Sequence, residues 1–175
     1  MPSSPIPYKF AVIVEDSPDP HGTHEPAMLP GGFIVFSEHL ILAAQDEAEF
    51  AGMLAHAMAH AAGRHMTRML TAREISQGKA YAGPDAWAET MKTQTPDGMR
   101  QFAREFEGAA DLIATRAIAA ASLDPSAFAA YIGRTQIEEP WRHQRVEFIE
   151  RAIGLLPARP YSSSGEFLLI QKELR

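Results

Sequence analysis

Two long stretches without proline and with few glycines, residues 46–75 and 99–121, frame everything this chain can fold into. In the first, Phe50, Met53, Leu54, Met58, Met66, Met69 and Leu70 recur at helical spacing. Asp46 with Glu49 three residues later is an N-terminal capping signal. A single helix is therefore predicted from Asp46 to about Ile75. A second is predicted from about Met99 to Ala121, halted by Asp124-Pro125. Shorter helices are expected over 125–134 and 140–156. Against them stand two short β-prone runs, Tyr8 to Val14 and Gly32 to Phe36, each beside a cluster of turn formers. Residues 78–98 read as a connecting segment with one helical turn near Trp87. From Ser162 onward the pattern fits either a strand or a helical turn at Phe167 to Ile170. The expected fold class is α+β, a small sheet on a mainly helical body. One domain is expected over 1–175, with 1–7 frayed.

Composition narrows the function. The chain has 175 residues, 46% hydrophobic and 22% charged, with a formal net charge of −6. Neither sign forms a long block, which argues against a nucleic-acid surface or a basic membrane-binding face. There is no cysteine, so disulfides and thiolate metal ligands are excluded. No run of eighteen apolar residues is present, so no membrane span is expected. The first seven residues lack the basic and apolar regions of a signal peptide. A cytoplasmic location is the resulting expectation, and oligomeric state has no signature here.

His56 and His60 lie four apart in the first long helix, so both imidazoles leave one face about one turn apart. Two ligands of a tetrahedral zinc need that spacing. Two packed or surface histidines can share it, so the pair means little alone. The metallopeptidase motif H-E-x-x-H places a general-base glutamate after the first histidine; here Ala57 stands in that place.

A third ligand is required, and the second long helix offers Glu107 and Asp111, also four apart. One carboxylate would bind the metal; the other would accept the free N–H of a ligand histidine, fixing its tautomer. Asp111 sits between Ala109-Ala110 and Leu112-Ile113-Ala114. An unpaired aspartate would be costly in that setting.

At this point the chain resembles the HtpX-like and CAAX-prenyl-endopeptidase-like zinc metallopeptidases, a gluzincin family, over roughly residues 25 to 150. Residues 25–33, EPAMLPGGF, are similar to the family's NAFALPGG lead-in to a strand. Asp46-Glu47-Ala48-Glu49, Leu54 to His60, Arg64-His65 and the E-x-x-x-D of Glu107 to Asp111 then follow in family order. The resemblance implies a zincin-type fold and zinc held by His56, His60 and Glu107, with Asp111 behind a histidine. It also implies that the strand carrying Gly32, Phe33, Ile34 and Val35 borders the cleft. The substrate would be a peptide or unfolded protein, added as an extended strand.

Two departures matter. A methyl at Ala57 removes the group that takes the water's proton and returns it to the leaving amine, a contribution of about 10²–10⁴-fold. Zinc binding is expected to survive, because the three ligands do not need that glutamate. The family also often carries His-Pro, with an arginine six residues after the histidine, to steady the oxyanion. Arg145 matches, but Glu139 stands at the histidine position. Either His143 substitutes from another angle or the oxyanion is held otherwise.

Remaining histidines read as structural. His65 is turned about 140° from His60 on a continuous helix, and His21, His24 and His39 have no partner at ligand spacing. Ala57 is read as an introduced Glu→Ala change in a working endopeptidase. The alternative is a natural pseudoprotease, a zinc-stabilised module that binds peptide without cleaving it. A third reading has no metal, with His56 and His60 merely packed.

Overall fold

The layout of the sheet turns on two glycines. In the computed structural model, which describes residues 7–14, 26–29, 31–76, 96–135 and 137–175, Gly31 and Gly32 both have positive φ, 87° and 83°. Glycine reaches that region without steric cost. The reversal pairs β2 (Ala27–Leu29) antiparallel with β3 (Phe33–Ser37), Leu29 opposite Phe33 and Ala27 opposite Val35. On the other side β1 (Lys9–Ile13) runs parallel to β3, from Lys9 opposite Phe33 to Ile13 opposite Ser37. The order β1-β3-β2 leaves β3 in the middle. Ile34 and Phe36 point into the core, while Phe33, Val35 and Ser37 are less buried, the two-residue alternation of a one-sided sheet.

Helix follows directly. Ser37 Oγ accepts from Leu40 N at 3.3 Å and starts α1 (Glu38–Ala43), an element the sequence pattern did not suggest. Asp46 Oδ1 accepts from Glu49 N at 2.8 Å and starts α2 (Glu47–Ala62), as the capping signal implies. Glu49, almost fully buried, accepts from Gln45 N at 2.7 Å and pairs with Arg134 at the end of α5 (Ser126–Arg134). A buried carboxylate thus fastens the start of α2 to a distant helix.

α2 is the central helix. It packs against β2, α4 (Pro96–Ala120) and α5. Phe36 meets Phe50 edge-on at 5.6 Å, and Phe50 stacks on Phe167 at 5.3 Å. Gly52 lets α5 approach: a Cβ there would lie 2.7 Å from Phe128. Ile132 of α5 and Ile149 of α6 (Trp141–Gly154) are fully buried in the same cluster as Ile34, Met53 and Phe128. The tail resolves as helix, α7 (Glu166–Glu173). Gln171 Nε2 donates to Ile41 O and Ala44 O, both at 2.8 Å, docking α7 on the end of α1.

The first long helix is not continuous. It stops at Gly63, and Arg64 adopts φ 52° before α3 (His65–Ser76) begins. A non-glycine residue in the left-handed region is uncommon, so apolar periodicity alone does not mark this break. α3 then packs on α4 through Met69, Ala72, Phe102 and Phe106. Among the described residues, no helix is long and apolar enough to cross a membrane. The turn near Trp87 and residues His21 and His24 lie outside the described residues.

Candidate metal centre

α2 and α4 place three ligand-type atoms at one point. His56 Nε2 and His60 Nε2 are 3.0 Å apart. Glu107 Oε2 is 3.3 Å from His56 Nε2, and its Oε1 is 3.5 Å from His60 Nε2. Ligand nitrogens and oxygens about 2.0–2.2 Å from a tetrahedral zinc would be separated by about 3.4 Å. The observed separations bracket that value. Each of the three residues offers one ligand atom within 4.8 Å of the other two, and among the described residues this is the cluster that fits a metal. Glu107 Oε2 is buried and faces both His56 and the guanidinium of Arg145, each at 3.3 Å.

Electrostatics favour an anionic Glu107. Burial pushes its carboxyl up, but hydrogen bonds from His56 and His60, with the charges of His56 and Arg145, outweigh that and hold it well below the usual carboxylate range. An ionised carboxylate facing two imidazole nitrogens is the donor set zinc takes.

Behind His56 lies a buried ion pair. His56 Nδ1 is 3.0 Å from Asp111 Oδ1, which leaves Nε2 turned toward Glu107. Asp111 has no exposed surface and Arg145 only 3%. Arg145 Nε and Nη2 donate to Asp111 Oδ2 and Oδ1 at 2.8 and 2.6 Å, a bidentate pair. Its Nη1 lies 3.3 Å from Glu107 Oε2. Arg145 therefore ties α6 to both carboxylates of α4. Its guanidinium reaches those carboxylates, so Arg145 acts on the centre as a positioning group.

Behind His60 lies His65. The break at Gly63 and Arg64 swings its ring back, so that Nδ1 comes 3.1 Å from His60 Nδ1. His65 is 6% exposed and stacks on Phe106 at 4.3 Å with planes 9° apart. Burial, then the neighbouring His60 and Arg68, push its imidazole down to about 4, so it is uncharged at neutral pH. The helical-wheel angle assumed a continuous helix and missed this contact. The signals in the sequence were Gly63, two residues ahead of His65 within the predicted helix, and the place of Arg64-His65 in the family-like pattern.

Other predicted positions fall elsewhere. Ala57 follows His56 on α2 and is 3% exposed, within the main apolar cluster. His143 is exposed and pairs with Glu147 at 3.3 Å, so the structure does not bring it to the centre. Glu139 is occupied with Arg142, at 2.6 and 2.9 Å. Of Gly32, Phe33, Ile34 and Val35, the last three lie on the middle strand, whose two edges are already paired. β3 therefore has no free edge to which a peptide could add.

The model for peptidase family M48 matches residues 4–163. No curated protein matches the chain. With α2 and α4 presenting two histidines and a glutamate at one point, and the family match spanning all of these elements, the chain belongs to peptidase family M48.

Proposed function

We propose that this chain is a zinc metallopeptidase domain that binds zinc through His56, His60 and Glu107, engages extended peptide, and does not hydrolyse it. The observation that carries the reading is the convergence of the three side chains at separations of 3.0–3.5 Å. Membership of the M48 family implies metallopeptidase activity and peptide substrates.

Zinc, when bound, supplies Lewis-acid polarisation of the scissile carbonyl and makes water a nucleophile at neutral pH. The chain's own residues do the rest. Asp111 holds His56 with Nε2 forward, and Arg145 holds Asp111 and Glu107 in register. β2 packs against α2 and offers a main-chain edge for an extended unfolded segment, whose backbone it would read by hydrogen bonds. What is missing is a proton carrier at position 57. A methyl there neither takes a proton from water nor returns one to the leaving amine, so turnover falls by about 10²–10⁴-fold or more.

Two histories fit this state. An introduced Glu→Ala change is supported by the intact Glu107–Arg145–Asp111 network, which a working peptidase needs. A natural peptide-binding pseudoprotease is supported by the burial of the Ala57 methyl in the apolar cluster. Ala57→Glu decides between them. Chelator-sensitive cleavage of an unfolded protein by the Ala57→Glu variant, with none by the parent chain, supports the peptidase. Zinc-loaded Ala57→Glu protein that binds the same substrate without cutting it overturns it and leaves the binding module.

A further inference from the structure

We propose that His65 is a positioning residue of the metal centre: its Nδ1 accepts the Nδ1–H of His60 and so fixes His60 with Nε2 turned to the metal. The inference rests on the reading of His56, His60 and Glu107 as the metal site.

Geometry assigns the two nitrogens of His60 different tasks. Nε2 lies 3.0 Å from His56 Nε2 and 3.5 Å from Glu107 Oε1, so it is the nitrogen on the metal side. A ligand nitrogen must offer its lone pair, which places the proton of an uncharged imidazole on the other nitrogen. That nitrogen, Nδ1, is 3.1 Å from His65 Nδ1. With His60 donating, His65 Nδ1 must be the acceptor, and the His65 proton resides on Nε2.

The acceptor is held rigidly. One face of the His65 ring stacks on Phe106. The ring also lies against Gly63, where an added Cβ would sit 2.2 Å from Nε2. Arg64, at φ 52°, supplies the reversal that brings the ring back toward α2. A buried ring with so little room to turn can fix the orientation of its neighbour.

The two histidine ligands are thus supported by different chemistry. His56 leans on the carboxylate of Asp111, 3.0 Å away and itself matched by Arg145. His60 leans on an imidazole, which accepts a hydrogen bond without adding negative charge to the centre. Supporting groups of this kind typically change metal affinity about 10–100-fold when removed.

The test compares the parent chain with His65→Phe and His65→Asn. Phenylalanine keeps the stack on Phe106 and removes the acceptor. Asparagine keeps an acceptor oxygen near the place of Nδ1. Zinc affinity is measured by competition against a chromophoric chelator. The expected result is a loss of about 10–100-fold in His65→Phe, largely recovered in His65→Asn. Equal affinity in parent and His65→Phe overturns the inference while leaving the metal site standing. A parent chain that binds no zinc overturns both. Nitrogen-15 NMR of the zinc-loaded parent gives a readout that does not depend on either variant folding. Protonation at His60 Nδ1 and His65 Nε2 is expected; a proton on His65 Nδ1 overturns the assignment.

Discussion

Replacing Arg145 with methionine should be among the costliest single changes in the molecule. Arg145 and Asp111 are both essentially without solvent contact and share two hydrogen bonds of 2.8 and 2.6 Å. Methionine fills much of the same volume but leaves Asp111 as a buried carboxylate facing, among the described residues, His56 alone, and strips a cation from beside Glu107. Removing one partner of a buried pair costs about 3–5 kcal/mol, out of a total stability of roughly 5–15 kcal/mol. For 175 residues, an unfolding entropy of about 2.1 cal/mol/K per residue converts this into a fall in Tm of about 8–14 °C. The assay is urea unfolding followed by circular dichroism, with chelator present so that metal binding does not contribute. The double variant Asp111→Leu/Arg145→Met sharpens it. Apolar replacement of both partners is often neutral or stabilising, so stability should return to within about 2 kcal/mol of the parent. Zinc affinity should not return, since His56 then lacks its acceptor, and should stay about 10–100-fold weaker. An Arg145→Met loss under about 1 kcal/mol would refute the reasoning.

Two further outcomes follow from the packing and the titrating groups. Gly52→Ala places a Cβ 2.7 Å from Phe128 and should cost about 1–3 kcal/mol by overpacking, measured by the same urea titration; an unchanged midpoint would mean α2 and α5 are not so closely seated. Metal-free protein should lose stability as pH falls from about 6.5 to about 4: the folded His65 pKa is about 4 against an ordinary 6.5, so the unfolded chain binds more protons across that window. Glu107, also held low, acts in the same direction further down the scale. His65→Phe should flatten the upper part of this profile, and an identical slope in parent and variant would contradict the His65 assignment.

The parts of the fold that came through in the sequence were those with a local physical cause. Asp46 and Glu49 marked the start of α2 because capping is decided within one turn. The prolines after residues 121 and 156 bounded α4 and α6 for the same reason. The α2–α3 break was not legible, since it depends on Arg64 accepting φ 52° in return for packing that only the folded chain supplies. His65 went unrecognised for that reason. β2 and α1 are short, three and six residues, too short to build a period. At the centre, His56, His60, Glu107 and Asp111 stood out because four-residue spacing on a helix fixes a shared face. Arg145 was singled out without its pairing to Asp111 and Glu107, because residue spacing carries no information about which side of a neighbouring helix a guanidinium reaches. His143 sits beside Arg145 in sequence but faces Glu147 and solvent.

The central claim is that His56, His60 and Glu107 form a zinc site despite Ala57. Metal analysis of protein purified without added zinc, followed by zinc titration, tests it directly. The account predicts about one equivalent per chain, removed by chelator, restored on titration and abolished in Glu107→Ala/His60→Ala protein that remains folded. Less than about half an equivalent, with no gain on titration, would contradict it.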